Sequence, residues 1–158
     1  DAASDEVSST EGRVPLVLSG IVPEPMSIFA ALEEMGACVV ADDLACCGRR
    51  LYPRGTSDEP LRRMAERLQG GPPDPMRGSP IQLRALHLQR LVREAGARGV
   101  VFYDVKFCEP EQFDLPQLRQ ALDDKGVPSL TLEVDLSSRD ELPGQVATRL
   151  EAFVEMIS

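Results

Sequence analysis

The sequence has no tryptophan, a single histidine, and only 4% aromatic residues. A flavin-carrying electron-transfer domain is disfavoured, because its site wants flanking aromatics and a Ser/Thr/Gly-rich first loop, where this chain has SGIVPEP. There is no CxxC pair and no Cys–His cluster, so the chain alone does not supply a complete four-cysteine metal site. Its four cysteines, at 38, 46, 47 and 108, are too few and too irregular for a secreted disulfide framework. They point instead to a reducing, cytoplasmic setting with some thiols free for metal. GxGxxG, P-loop and GxSxG motifs are all missing, which removes the usual support for a Rossmann dehydrogenase, a nucleotide triphosphatase or an α/β-hydrolase. No apolar run approaches the ~18 residues of a membrane span. Asp1 opens an acidic, Ser-rich stretch with no signal-peptide core. Positive charge is also short: 17 Lys and Arg against 26 Asp and Glu give a net charge of −9, which argues against nucleic acid.

What is present fits one α/β domain. The 158 residues suffice for a real core, and 42% are hydrophobic. Residues 1–12 are acidic, small and polar and are expected to be a disordered leader or linker remnant, with the folded domain over 13–158. VPLVLSG, ACVVADD, GVVFYDV and PSLTLEVD read as buried strands. Helices are expected over MSIFAALEEM up to Gly36 and over DEPLRRMAERLQ, where Leu61, Met64 and Leu68 share a face. Others are expected from about Ser79 to Ala95, over 115–125, and from about Pro143 to Ile157. Alternating strands and helices with right-handed crossovers predict a three-layer sandwich around a four-stranded parallel sheet. With strand order 2-1-3-4 the fold is flavodoxin-like.

Such folds bind ligands outside the carboxyl ends of their strands, near the point where strand order reverses. The unusual residues fall there. Ser19 and Gly20 follow the first strand, Asp42 to Arg50 the second, Lys106 to Pro110 the third, and Asp135 to Ser138 the fourth. Cys108 is the sharpest candidate, because thiolates bind soft metals and iron–sulfur clusters and the nearby Lys106 favours a thiolate. The alternative is a half-buried thiol packing at a strand end. One of Cys46 and Cys47 is a further candidate, although adjacent side chains tend to diverge and the tips of strands 2 and 3 start roughly 10 Å apart. Cys38, inside a strand, reads as core. Arg49 and Arg50 either clamp an anion, or lie in solvent, or pair with Asp42 or Asp43. His87 reads as a surface residue of the long helix, away from this edge.

KFCEP, then GVPSLTLEVD, then GQVATRLEAFVEMI resemble the C-terminal domain of the 2-hydroxyacyl-CoA dehydratase and benzoyl-CoA reductase family. LVLSG, EEMGACVVADDLACCGRRLY and the stretch from Arg77 to Gly99 match it in the same order, so the likeness covers nearly everything after residue 12. It implies a longer subunit paired with a related second subunit in a heterodimer, and a 4Fe–4S cluster completed by cysteines outside this chain. It also implies an ATP-dependent iron–sulfur activator and one-electron chemistry on an acyl-CoA, either ketyl-radical dehydration or ring reduction. Carried over to this sequence, it makes Cys108 the cluster ligand and Cys46 or Cys47 a lesser one. Ser19, Gly20, Lys106, Gln145, Thr148 and Arg149 become candidates for the cluster environment or the substrate. By itself the chain is expected to be inactive. The competing reading is a non-catalytic, metal-free flavodoxin-like domain that binds a partner subunit or a small ligand.

Overall fold

A computed structural model of the protein describes residues 10–136 and 141–158. Residues 1–9 of the expected leader and Ser137–Ser138 of the loop after the fourth strand lie outside it. The elements run β1 (Val14–Gly20), α1 (Ser27–Glu34), β2 (Ala37–Leu44), α2 (Pro60–Gln69) and α3 (Ile81–Ala95). They continue with β3 (Gly99–Val105), α4 (Glu109–Asp123), β4 (Ser129–Val134) and α5 (Gly144–Ile157). The four strands form one parallel sheet in the order β2-β1-β3-β4, the expected flavodoxin-like arrangement.

The sheet is covered on both faces, which is why its strands read as continuous apolar runs rather than alternating ones. Leu16, Leu18, Val101 and Tyr103 face α1 and α5, where they meet Ile28, Leu32, Leu150 and Val154. Val17, Val100 and Phe102 face α3 and α4, against Leu88, Val92, Leu118 and Leu122. Each such side chain taken from water contributes about 1.5–3 kcal/mol. Gly36 closes α1 with a φ of 72°, a conformation a side chain would strain.

Two elements depart from the sequence reading. Helix α4 begins at Glu109, a turn and a half before the expected start at residue 115. Pro116 suggests a boundary because it has no N–H to give to Gln112, and an interior proline costs about 3 kcal/mol. The chain sustains the extra turn because the N–H groups of Glu111 and Gln112 both bond to the Cys108 carbonyl and the Glu111 side chain is anchored elsewhere. In α2 the apolar stripe exists but covers no core. Leu61, Met64 and Leu68 are 74%, 60% and 52% exposed, and no residue of α2 is buried among the described residues.

Tyr103 is fully buried, and its hydroxyl has no hydrogen-bond partner among the described residues. Burial, with a contribution from Glu24, pushes its phenol well above the usual range. Removing an orphaned polar group relieves a desolvation cost. Tyr103→Phe is therefore expected to raise stability by about 1 kcal/mol in urea unfolding, and a loss of that size would show that the hydroxyl has a partner.

Candidate functional site

The carboxyl edge of the sheet is built from an unusually well-braced turn. Beyond the end of β2 the chain keeps following β1, with Ala45 N–H on the Gly20 carbonyl at 3.0 Å and Cys46 N–H on the Ile21 carbonyl at 3.1 Å. The Asp42 carboxylate then knots the turn from inside, accepting from Leu44 N–H at 3.1 Å and Gly48 N–H at 2.7 Å. A Cβ at position 48 would overlap the Asp42 carbonyl oxygen, so only glycine fits. Arg50 closes the turn by donating to the Ala45 carbonyl at 3.0 Å. The result presents Cys46 and Cys47 to solvent with their sulfurs 3.3 Å apart. They do not diverge as neighbours on a strand do, because both lie in the turn that leads into the helical turn Gly48–Arg50. Burial and then Cys47 push the Cys46 thiol up, so it holds its proton more firmly than a free cysteine.

Under this turn lies a buried chain of charges. Ser19 on β1 donates to Asp43 on β2 at 2.8 Å. Arg49, whose side chain is 0% exposed, grips the same carboxylate with Nε and Nη2, each at 3.1 Å. Its far side meets Glu111 on α4, through Nη1 to Oε1 and through Nη2 to Oε2 at 3.3 Å. Glu111 also accepts from Arg84 on α3 at 2.8 Å, and Arg84 reaches Asp114 at 2.5 Å. Burial alone would push the Glu111 carboxyl up, but the hydrogen bond and charge of Arg49, with Arg84, outweigh it and hold it below the ordinary range. His87 Nε2 lies 3.8 Å from Asp43. Its side chain is only 10% exposed, so it belongs to this edge and not to the open surface expected of it. Burial pushes its imidazole down, Asp43 opposes, and Arg90 and Arg49 push it further down.

Cys108 is the residue from which α4 springs. It is half-buried, it occupies the cap position, and its side chain makes no capping bond. The turn before it is sharp: Phe107 has a φ of 67° and is 90% exposed. Such a backbone costs about 1–2 kcal/mol for a residue with a side chain. Lys106 lies 3.9 Å from both Glu133 and Asp135. Of the C-terminal motif residues, two make local backbone bonds. Thr148 bonds back to the Gly144 carbonyl at 3.0 Å, Arg149 donates to the Thr131 carbonyl at 2.9 Å, and Gln145 is exposed at the start of α5. Gly20 packs so closely on the Tyr103 carbonyl that a side chain would not fit. Cys38 is half-buried and lines, with Cys47, Met26 and Phe29, an apolar cavity of about 450 Å³ bounded by α1 and β2.

Sequence reasoning named Ser19, Asp43 and Arg49 but not Glu111, Arg84 or Asp114. One signal was available. Arg84 stands three residues after Ile81 and four before Leu88, inside the apolar stripe of α3, where an unpaired charge would be intolerable. Among the described residues no three His, Cys, Asp or Glu side chains converge as a metal site, and no helix is long and apolar enough to cross a membrane. As donors, three free thiols at one edge have the chemistry an iron–sulfur cluster takes, so the residues fit a share of its ligands, with the rest supplied from elsewhere.

A family model described as 2-hydroxyglutaryl-CoA dehydratase, D-component, matches residues 1–157. The chain belongs to that family. It is similar to the (R)-phenyllactyl-CoA dehydratase beta subunit of Clostridium sporogenes, 27% identical over 97% of this chain and 41% of that subunit. The (R)-2-hydroxyglutaryl-CoA dehydratase subunit beta of Acidaminococcus fermentans is 31% identical over 90% of this chain and 38% of its own length. For the lactoyl-CoA dehydratase subunit beta of Anaerotignum propionicum the identity is 34%, over 90% and 38%. The chain thus spans about two fifths of the length of these dehydratase subunits.

Two outcomes follow from the charge network of this dehydratase-family chain. Arg49→Met strands Asp43 and Glu111 without their shared cation and is expected to cost about 3–5 kcal/mol in urea unfolding. Stability also depends on pH. Folding depresses both groups, so each contribution is complete above the unfolded value and lost as pH falls below it: 6.5 for His87, 4.5 for Glu111. Urea midpoints are expected to fall in two stages on acidification; His87→Gln should remove the upper stage, and Glu111→Gln should shrink the lower, to which the depressed Glu66 carboxyl also contributes.

Proposed function

We propose that this chain is the C-terminal, cluster-bearing portion of a subunit of a 2-hydroxyacyl-CoA dehydratase, with Cys108 as its ligand to a 4Fe–4S cluster. The observation that carries the reading is the position of Cys108. It is a free, half-buried thiol that makes no capping bond, at the start of α4 and beside the crevice where strand order reverses, in a chain of the dehydratase family. Cys46 or Cys47 is a lesser ligand candidate on the neighbouring turn. The three relatives named above are all dehydratase beta subunits, which weighs toward dehydration over ring reduction.

A cluster held in part by Cys108 would supply reversible one-electron chemistry at the thioester carbonyl of an acyl-CoA, lending an electron and taking it back over a dehydration that is redox-neutral overall. This chain's part is to hold one thiol ligand at a fixed place and to keep the floor beneath it dry. Both tasks fall to the Arg49 network and the braced turn above it. The other ligands, the rest of the pocket, a related second subunit and an ATP-dependent iron–sulfur activator lie outside this chain, so the chain alone does not turn over substrate. A metal-free subunit-interaction domain is the competing reading, favoured by the fact that the described residues do not complete a metal site.

Iron analysis decides between them. The full-length subunit, produced with its partner subunit under strict anaerobic conditions, is expected to carry cluster-level iron and acid-labile sulfide. Cys108→Ala should lose most of both, while Cys38→Ala keeps them. Iron-free wild-type protein, or iron indifferent to Cys108, would falsify the cluster reading and leave the interaction domain.

A further inference from the structure

We propose that Arg49 is a positioning residue that straps the Cys46–Cys47 turn to the first turn of α4, so that the place of Cys108 is set from the far side of β1. The inference rests on the reading of Cys108 as a cluster ligand.

The problem it solves is one of topology. The cysteines leave the sheet from β2 and from β3, and β1 lies between those strands. Backbone pairing alone therefore leaves the two segments without a direct link. Arg49 supplies one. It belongs to the turn that displays Cys46 and Cys47, yet its guanidinium divides its donors between Asp43 at the end of β2 and Glu111 in α4. Ser19, on the strand being crossed, bonds to the same Asp43. The fork geometry of a guanidinium is suited to this bridge, because two carboxylates on different elements can each be held by paired donors.

Glu111 transmits the tie to Cys108. It is the third residue of α4, the place from which a glutamate ordinarily turns back to the cap residue's own N–H. Here it faces inward to Arg49 and Arg84, while the Cys108 N–H bonds to the Val105 carbonyl. The first turn of α4 is therefore fastened by a buried side chain and not by its cap. Because the Cys108 carbonyl accepts from both Glu111 N–H at 3.1 Å and Gln112 N–H at 3.0 Å, the cysteine's backbone moves with that turn. Asp43 bonds to Ser19 and Arg49 and lies 3.8 Å from His87, and of these Arg49 is the one that also bonds Glu111, so the direct route from Asp43 to the first turn of α4 is the guanidinium.

The test uses the anaerobic full-length subunit with its partner subunit, with and without its iron. In protein stripped of iron, the rate at which iodoacetamide labels Cys108 is followed peptide by peptide with mass spectrometry. Glu111→Gln is expected to raise that rate by about fivefold or more, by loosening the first turn of α4. Asp43→Asn should raise it too, and the double variant should fall well short of the product of the two effects. Arg13→Ala, which breaks an exposed pair with Glu33 at the other end of the sheet, should leave it unchanged. In iron-loaded protein, Glu111→Gln should shift the g-values of the reduced cluster while iron content is kept. Melting curves identify variants that have unfolded, and Arg49→Lys replaces any such variant, with the same faster labelling expected. Wild-type labelling rates and g-values in a folded Glu111→Gln protein, or multiplying effects in the double variant, would overturn the proposal. Wild-type protein without iron whose labelling still responds to Asp43→Asn would sink the cluster reading alone and leave the strap standing.

Discussion

The structure depends on one buried cation. Arg49 has been withdrawn completely from water at the edge of the sheet, a state that costs several kcal/mol unless the charge is matched by well-placed acceptors. Asp43 and Glu111 provide them, and they come from opposite sides of the crevice. Counting the whole network, three carboxylates (Asp43, Glu111 and Asp114) face two guanidiniums (Arg49 and Arg84), and His87 stands beside the surplus negative charge. An apolar plug of the same volume could be as stable or more so, which is the usual finding for buried ion pairs. What a plug lacks is direction: the guanidinium donors meet their carboxylates along defined lines.

The fold was readable because its strands are buried on both faces. VPLVLSG and GVVFYDV cannot be surface segments, and parallel strands joined by right-handed crossovers leave few topologies to choose from. The edge that gathers Ser19, Asp43, Arg49 and three of the cysteines was readable for the same reason. The site's interior was not. His87 looked like surface because periodicity assigns a residue to a face of its helix and is silent about what neighbouring loops bring over that face. Glu111 looked like loop because Pro116 signals a break, and the compensation for that proline is tertiary. Arg49 was legible as one of three outcomes, of which the pair with Asp43 is the one found; its second partner lies 62 residues away in sequence, beyond the reach of any local pattern.

The family assignment and the geometry answer different questions. Similarity to dehydratase beta subunits shows the family to which the chain belongs. The geometry shows which elements carry the thiols: the turn after β2 holds Cys46 and Cys47 at the carboxyl edge of the sheet, and α4 begins at Cys108. Of the residues singled out by a shared motif, Thr148 bonds within helix α5 and Arg149 to the edge strand β4, while Gln145 lies exposed at the start of α5.

Helix α2 carries a consequence of another kind. A helix of ten residues is too short to persist in water by its own propensity, and this one buries none of its side chains among the described residues. It is held at its ends instead, by Glu59 on the N–H groups of Leu61 and Arg62, by Glu66 on those of Thr56 and Ser57, and by Arg77 on the Leu68 carbonyl. With so little apolar contact to lose, it is expected to open at lower cost than the sheet and to exchange its amide protons sooner than the helices that cover the sheet.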